Sequence, residues 1–441
     1  MALLHAYLWF RLVRSTTGPG RLRRRLTVLT VVLAVLPVAA LLSRGFLPIE
    51  AVSPLSWVGY SWLGIALYAV LALLLLEPVR LLGNLRIRRT ENDEVVPSGP
   101  RRGPGWDDAA APVDRGTSPG RVAVREDGDE QSGAVREDGD EHGGAVRQDG
   151  DVVVREDGAA IDRRRFLARG LAVTAGAVAL GTAGTGAYFA NSPPVVRRVP
   201  ITLRGLDPAL DGLRIVTFSD GHLSATYGGR RFERVVELVN EQRPDVVAIV
   251  GDLVDGGVDE LREDVAPLAD LVSEQGVYFV TGNHEYFVDT QAWMRHLPTL
   301  GVDVLRNERV AIRRGGAAFD LAGIDDRTAA SSGLPGHGAD LDAALDGRDE
   351  STPVVLLAHQ PVQVAQAAAA GVDLQLSGHT HGGQLWPFDY AVRLDQPAVE
   401  GWSRHGDTQL YVSSGAGYWG PPMRIGARPE VTVVELRAPG R

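Results

Sequence analysis

A chain of 441 residues with a net charge of −10 is long enough for two or three domains and carries no basic footprint for nucleic acid. It contains no cysteine, which excludes disulfide staples, thiolate metal sites and cysteine nucleophiles. Any metal must therefore be held by His, Asp, Glu or Asn.

In chain order, residues 26–42 form an apolar run broken only by Thr27, Thr30 and Pro37 and preceded by Arg21, Arg23, Arg24 and Arg25. Residues 57–76 form a second run, about twenty residues without charge, which is the length of a bilayer crossing. Arg80, Arg86, Arg88 and Arg89 follow it, whereas the loop between the runs holds one basic residue, Arg44. By the positive-inside rule both arginine clusters face the cytoplasm, so residues 1–89 read as a membrane region with a transmembrane hairpin at about 26–43 and 57–76. Buried core helices would explain the apolar runs but not their arginine flanks. The shorter stretch 2–10 reads as an interfacial helix or as the remnant of a longer span.

Residues 90–162 are rich in Gly, Asp, Glu, Arg and Pro and repeat a unit, Val124-Arg125-Glu126-Asp127-Gly128, again from Val135, Val146 and Val154. The irregular spacing lacks the apolar positions that would stack a solenoid, so the segment reads as a disordered acidic repeat linker rather than a calcium-binding array. Residues 163–192 begin Arg163-Arg164-Arg165-Phe166-Leu167 and continue as a weakly apolar Ala/Gly/Val/Thr stretch. The segment resembles a twin-arginine export signal, read by the twin-arginine translocation machinery. Asp162 stands where Ser or Thr is common, and Ala168 where Lys is common. A third transmembrane helix with a basic flank is the plainer reading. Either way the arginines stay inside and everything beyond Asn191 lies outside. Thr185-Gly186-Ala187 is a weak cleavage site, and retention as an anchor is the expectation.

From about residue 195 the pattern alternates strand and helix. Residues 213–218 end at Asp220-Gly221-His222, and Phe232, Val235, Val236 and Val239 then fall at helical spacing. Residues 246–250 end at Gly251-Asp252, and Leu261, Val265, Leu268 and Val272 mark another helical face. Residues 277–280 lead into Gly282-Asn283-His284-Glu285, residues 354–357 into His359, and residues 374–376 into Gly378-His379-Thr380-His381. Five of the ten histidines thus stand at strand ends, where ligands bind in open α/β sheets. Asp220, His222, Asp252, Asn283, His359, His379 and His381 make a ligand set suited to two divalent ions about 3.5–4 Å apart with a bridging carboxylate.

The order Asp-x-His, Gly-Asp-x-x-Asp, Gly-Asn-His-Glu, His, Gly-His-Thr-His resembles the calcineurin-like metallophosphoesterase superfamily over residues 195–437. The block Gly378–Gln384 is most similar to the YkuE-like, membrane-associated bacterial branch. The resemblance implies a four-layer α/β/β/α sandwich and two divalent ions, Mn, Fe or Zn. Asp220, His222, Asp252 and His381 would surround the first ion, and Asp252, Asn283, His359 and His379 the second. A hydroxide shared by the ions would attack phosphorus in line, His284 would be the general acid that protonates the leaving alkoxide or would stabilise the transition state, and Asp255 would orient it. In the phosphoprotein phosphatases an arginine follows that aspartate. Here Gly256 does, which disfavours a phosphoprotein substrate.

Each residue has a plainer alternative, and for the seven ligands jointly packing offers no reason for this order. Asp255 could cap a helix, Glu285 reads as a supporting residue rather than a ligand, and Asp325 and Asp326 as a turn. Gln384 could touch substrate or fix its loop, while Trp386, Trp402 and Trp419 could wall the cleft or fill a core. His296, His337 and His405 have no motif context. The whole reads as a multi-pass cell-membrane phosphohydrolase with an extracytoplasmic catalytic domain. Its substrate would be a phosphorylated small molecule or lipid-linked compound of the envelope, carrying a phosphoester or pyrophosphate bond. The rival is a non-catalytic membrane-anchored sensor of metal or phosphate, against which the presence of His284 argues.

Overall fold

The computed structural model describes residues 1–43, 46–94 and 154–440. The chain divides into a larger unit, Met1–Arg80 with Leu167–Arg441, and a smaller one, Leu81–Phe166. The first helices are α1 (Ala2–Leu8), α2 (Arg21–Ser43), α3 (Ile49–Leu75), α4 (Glu77–Glu94) and α5 (Val154–Asn191). α2, α3 and residues Ile161–Asn191 of α5 are each long and apolar enough to cross a membrane. α3 starts eight residues before the uncharged run because Pro48, in extended backbone, fixes the entry and Glu50 meets the positive end of the helix. α1 lies against α3, with Trp62 Nε1 donating to His5 Nε2 at 2.9 Å and Leu8 buried. Helix runs into both ends of the segment read as a linker, covering 90–94 and 154–162, and residues 95–153 lie outside the described ones.

The rest of the larger unit is built on two sheets. The first holds β1 (Val195–Thr202), β2 (Arg214–Phe218), β3 (Val246–Val250), β4 (Val277–Val280), β5 (Val302–Val304) and β12 (Glu430–Arg437), in the order β1-β12-β2-β3-β4-β5. The second holds β6 (Glu308–Arg314), β7 (Ala317–Gly323), β8 (Val354–Leu357), β9 (Leu374–Ser377), β10 (Gly401–His405) and β11 (Thr408–Val412), in the order β10-β11-β9-β8-β7-β6. Strands β2 to β5 run parallel, as do β7, β8, β9 and β11, so the loops that leave them gather at one end.

Continuous apolar strands are what two covered faces require. In β3, Val246, Ala248 and Val250 enter the core between the sheets with Ile215, Leu321, Val355 and Leu376. Val247 and Ile249 point the other way, into a core shared with α6 (Gly229–Glu241), α7 (Val258–Val265) and α8 (Thr290–His296). Ala322, Val354 and Leu356 pack beneath α9 (Leu341–Leu345) and α10 (Val364–Ala369) on the far side. These are the four layers expected from the sequence. α6 buries Phe232, Val235, Val236 and Val239 as its spacing predicts. Val272 departs from the prediction. α7 gives way at Ala266–Asp270 to a tighter turn carrying Pro267, and Val272 is left exposed.

Candidate metal centre

The loops leaving β2, β3, β4, β8 and β9 bring all seven predicted ligands to one end of the two sheets. Their backbones are tied to one another. Asp220 N–H donates to Gly251 O, His222 N–H to Asp252 O, and Gly378 N–H to His359 O, at 2.9–3.1 Å. Asp220, His222, Asp252, His379 and His381 all have φ between 46° and 73°, a left-handed region that costs a residue with a Cβ about 1–3 kcal/mol. Cross-loop bonding holds five adjacent residues in a conformation that no turn preference would select.

Three groups of possible ligands result, Asp220 with His222 and His381, Asp252 with His359 and His379, and His222 with Asp255 and His284. In the first, the Nε2 atoms of His222 and His381 approach to 2.9 Å and Asp220 Oδ1 lies 3.3 Å from His381 Nε2. Between the first two groups, Asp252 Oδ2 lies 3.2 Å from His359 Nε2 and 3.8 Å from His222 Nε2. His222 Nδ1 faces Asp255 Oδ1 at 2.8 Å and His359 Nδ1 faces Val250 O at 2.8 Å. Both partners can only accept, so each Nδ1 carries the proton and each Nε2 turns a lone pair inward. His359 Nε2 and Asn283 Oδ1 are buried without a hydrogen-bond partner. Orphaned acceptors of this kind fit a cation, and the donor set suits hard or borderline divalent ions.

The electrostatics agree for His379 and His381. At His359 burial opposes charging, but Asp252 outweighs it and raises the ring well above the imidazole range, so a cation at its Nε2 would have to displace a proton. Burial pushes His379 down to about 4, helped by the charge of His359. Burial also holds His381 well below the imidazole range, reinforced by His222 and Arg424. Both rings are therefore neutral, as ligands must be. Burial opposes ionisation of Asp252, but His359, His284 and His222 outweigh it and keep its carboxyl well below the usual range.

Asp255 does more than the sequence indicated. Its Oδ1 accepts from His284 Nδ1 at 2.7 Å as well as from His222, so one carboxylate sets both rings. His284 N–H donates to Asp252 Oδ1 at 2.8 Å, and its ring stands beside Phe287 and Trp419, with centroids 5.3 and 5.7 Å away. Glu285 is a supporting residue, as expected. Buried, it accepts from the N–H groups of Asp252, Leu253, Val254 and Gly282 at 2.7–3.3 Å. Glu285→Ala would strand four buried donors at about 1–3 kcal/mol each before relaxation. We expect a melting temperature lower by many degrees, measured by thermal unfolding in detergent.

The motif glycines leave room for carboxylates. A Cβ on Gly282 would overlap Asp252 Oδ1, and one on Gly378 would overlap Ser219 Oγ and Asp220 Oδ2. Gly282→Ala should therefore displace Asp252 and weaken metal affinity by about 10–100-fold, the usual scale for a disturbed ligand support, as read by metal titration.

The remaining candidates separate. Asp325 is fully buried against Arg306, with contacts of 3.0 and 2.7 Å, and Asp326 accepts from Thr328 and Gln360, so both are structural. Gln384 fixes its loop, donating to Trp419 O at 2.8 Å and accepting from Trp419 N at 2.9 Å. Trp386, Trp402 and Trp419 are half-exposed rather than core residues. His337 contacts Tyr286, His296 meets Trp293 edge-on and His405 contacts Ser403, and none of the three joins a ligand group. Sequence reasoning missed Arg424. Fully buried, it donates to the carbonyls of His381, Ser414 and Gly417 at 2.5–3.0 Å and stands 3.3 Å from His381 Nδ1. No motif marks it, because its partners are main-chain atoms.

Residues 213–383 match the calcineurin-like phosphoesterase family. A transmembrane protein with metallophosphoesterase domain from Danio rerio is 42% identical over 57% of this chain and 59% of that protein. The chain thus spans little more than half of that relative. An uncharacterised metallophosphoesterase of Helicobacter pylori is 39% identical over 58% of this chain and 68% of its own length. The uncharacterised metallophosphoesterase YkuE of Bacillus subtilis is 31% identical over 63% of this chain and 98% of its own length. With its ligand groups and fold, this chain belongs to the calcineurin-like metallophosphoesterases, a metal-dependent family consistent with hydrolysis of phosphoric esters.

Proposed function

We propose that the protein is a membrane-anchored phosphohydrolase that uses two divalent ions, Mn, Fe or Zn, to cleave a phosphoester or pyrophosphate bond of a lipid-linked or envelope substrate. The observation that carries this reading is the pair of ligand groups meeting at Asp252, with His284 poised beside them on Asp255. Asp220, His222, Asp252 and His381 would hold one ion, and Asp252, Asn283, His359 and His379 the other. When bound, such ions supply an acidified water and positive charge against the phosphate oxygens. Asp255 keeps His284 Nδ1 protonated, so the ring turns Nε2 toward the site, where it can donate to the departing oxygen. Phe287 and Trp419 stand edge-on beside that ring.

The three long helices would cross the membrane with their arginine flanks inside, leaving the catalytic domain outside. Arg163-Arg164-Arg165 would serve as the twin-arginine signal. Retention of α5 is favoured by its packing, since Gly186 O, within the weak candidate cleavage site, accepts from Arg424 N–H at 2.9 Å.

The test is metal analysis of the purified chain followed by a substrate panel. We expect hydrolysis of bis-p-nitrophenyl phosphate that chelation abolishes and Mn restores, and higher kcat/KM for isoprenoid or phospholipid phosphates than for nucleotides. A metal-loaded protein without turnover would make it a sensor, and a preference for nucleotides would remove the lipid substrate. A C-terminal reporter fusion active only outside the membrane would support the orientation, and activity inside would reverse it.

A further inference from the structure

The catalytic domain does not stand off from the apolar helices. Ser53 Oγ, near the start of α3, donates to Ala225 O at 2.6 Å, and Tyr68 OH, much farther along, donates to Trp386 O at 3.0 Å. Between these contacts α3 rises about 22 Å. One turn before Tyr68, Gly64 leaves room for Met423, whose Sδ would lie 2.5 Å from a Cβ there. Leu385, Met423 and Ile425 share a core with Ala66, Tyr68 and Ala69 of α3 and Ala175, Ala179 and Ala183 of α5. A hydrocarbon layer is about 30 Å thick, so if residues 57–76 cross it, Ser53 stays outside and the contacts of Gly64, Ala66, Tyr68 and Ala69 lie below the headgroups.

The loop held at that level is apolar on its outside. Trp386, Phe388, Tyr390 and Leu394 are 53%, 60%, 64% and 89% exposed. Four such side chains in one short loop are not the scattered exposure of an ordinary soluble surface, and Trp and Tyr are the residues that favour the membrane interface. The backbone suits the same environment. Trp386 N–H reaches Ile425 O, Phe388 N–H reaches Leu385 O, Ala391 and Val392 N–H reach Phe388 O, and Leu394 N–H reaches Ala391 O, all at 2.8–3.1 Å. A turn that satisfies its own donors can leave water at little cost. Exposed Arg393 has the length to reach lipid phosphates. The loop follows His379 and His381 directly, and Gln384 ties it to Trp419, which flanks His284.

We infer that Trp386, Phe388, Tyr390, Leu394 and Trp419 form a surface that docks into the lipid bilayer beside α3, opening the metal centre to the phosphate of a membrane lipid whose acyl chains stay in place. The inference rests on the proposed crossing by α3 and deepens the proposed substrate class.

The cysteine-free chain makes the test direct. Phe388→Cys and Tyr390→Cys, and as control Val272→Cys, exposed ahead of β4 at the opposite end of the strands, are each labelled with an environment-sensitive nitrobenzoxadiazole dye. The full chain is reconstituted in phosphatidylcholine–phosphatidylglycerol vesicles. Dyes at 388 and 390 should show blue-shifted emission, several-fold stronger quenching by doxyl lipid than the dye at 272, and protection from aqueous iodide. Iodide quenching equal to that at 272 would overturn the docking. Turnover of bis-p-nitrophenyl phosphate by the same vesicles reads the catalytic proposal separately. Dyes in water with turnover intact sink the docking alone, whereas dyes in lipid without turnover leave it standing and sink the phosphohydrolase.

Discussion

Asp252→Asn should lower turnover of bis-p-nitrophenyl phosphate by roughly a thousandfold or more, the scale seen when one member of a catalytic unit is removed. It should also empty both metal positions. The substitution keeps an oxygen able to accept from His284 N–H, now at 2.8 Å. It replaces Oδ2, which stands 3.2 Å from His359 Nε2 and 3.8 Å from His222 Nε2, by an amide that cannot ligate and can donate to those lone pairs. No other side chain lies between the Asp220 and His359 groups in this way among the described residues. The fold should survive. Asp252 is buried near Asp220, whose ionisation is opposed first by burial and also by Asp252 itself. The charge of Asp252 is nevertheless favoured by folding, because burial opposes it but His359, His284 and His222 outweigh that burial. The metal-free variant should therefore melt lower than the metal-free parent while activity disappears. Elemental analysis and thermal unfolding of the same preparation separate the effects. Full metal content with full turnover would remove Asp252 from the bridging role.

The candidate ligands were legible because they interrupt the strongest pattern in the chain. A strand covered on both faces must be apolar throughout, so a polar residue just past its end stands out, as Asp252 does after Val246–Val250. What the pattern hides is geometry. The left-handed backbones of Asp220, His222 and His381 look in sequence like any turn, because bonds between loops impose them. Arg424 is hidden for a related reason, since it binds carbonyl oxygens and main chain leaves no mark in composition. The packing of α3 and α5 on the catalytic domain is also silent. It uses Gly64, Ala66, Ala69, Ala179 and Ala183, which read the same whether they face lipid or protein. The sequence therefore suggested a tethered domain, whereas the larger unit packs the apolar helices directly on its β-sandwich loops.

His284→Ala should reduce kcat by about 10²–10⁴-fold with metal content unchanged, the range for losing a general acid. Burial disfavours its imidazolium, but the charge of Asp252 and the hydrogen bond and charge of Asp255 more than compensate and raise it to about 9. The donor form is thus present at neutral pH and is lost as pH rises through that value. Divalent ions beside Asp252 cancel part of its attraction, so the alkaline limb of kcat should have its midpoint at or below about 9. Asp255→Asn should move that limb to lower pH, because the ring loses its strongest hydrogen-bond acceptor. His284→Ala should abolish it. The leaving group supplies the sharper check. A p-nitrophenolate departs with little help, whereas an alkoxide needs a proton in the transition state, so the loss in His284→Ala must be much larger for alkyl phosphates than for p-nitrophenyl esters. Equal losses on both would mean that His284 only stabilises charge on the phosphate. Asp255 would then matter through His222 Nδ1, 2.8 Å away, by keeping that ring oriented toward the metal.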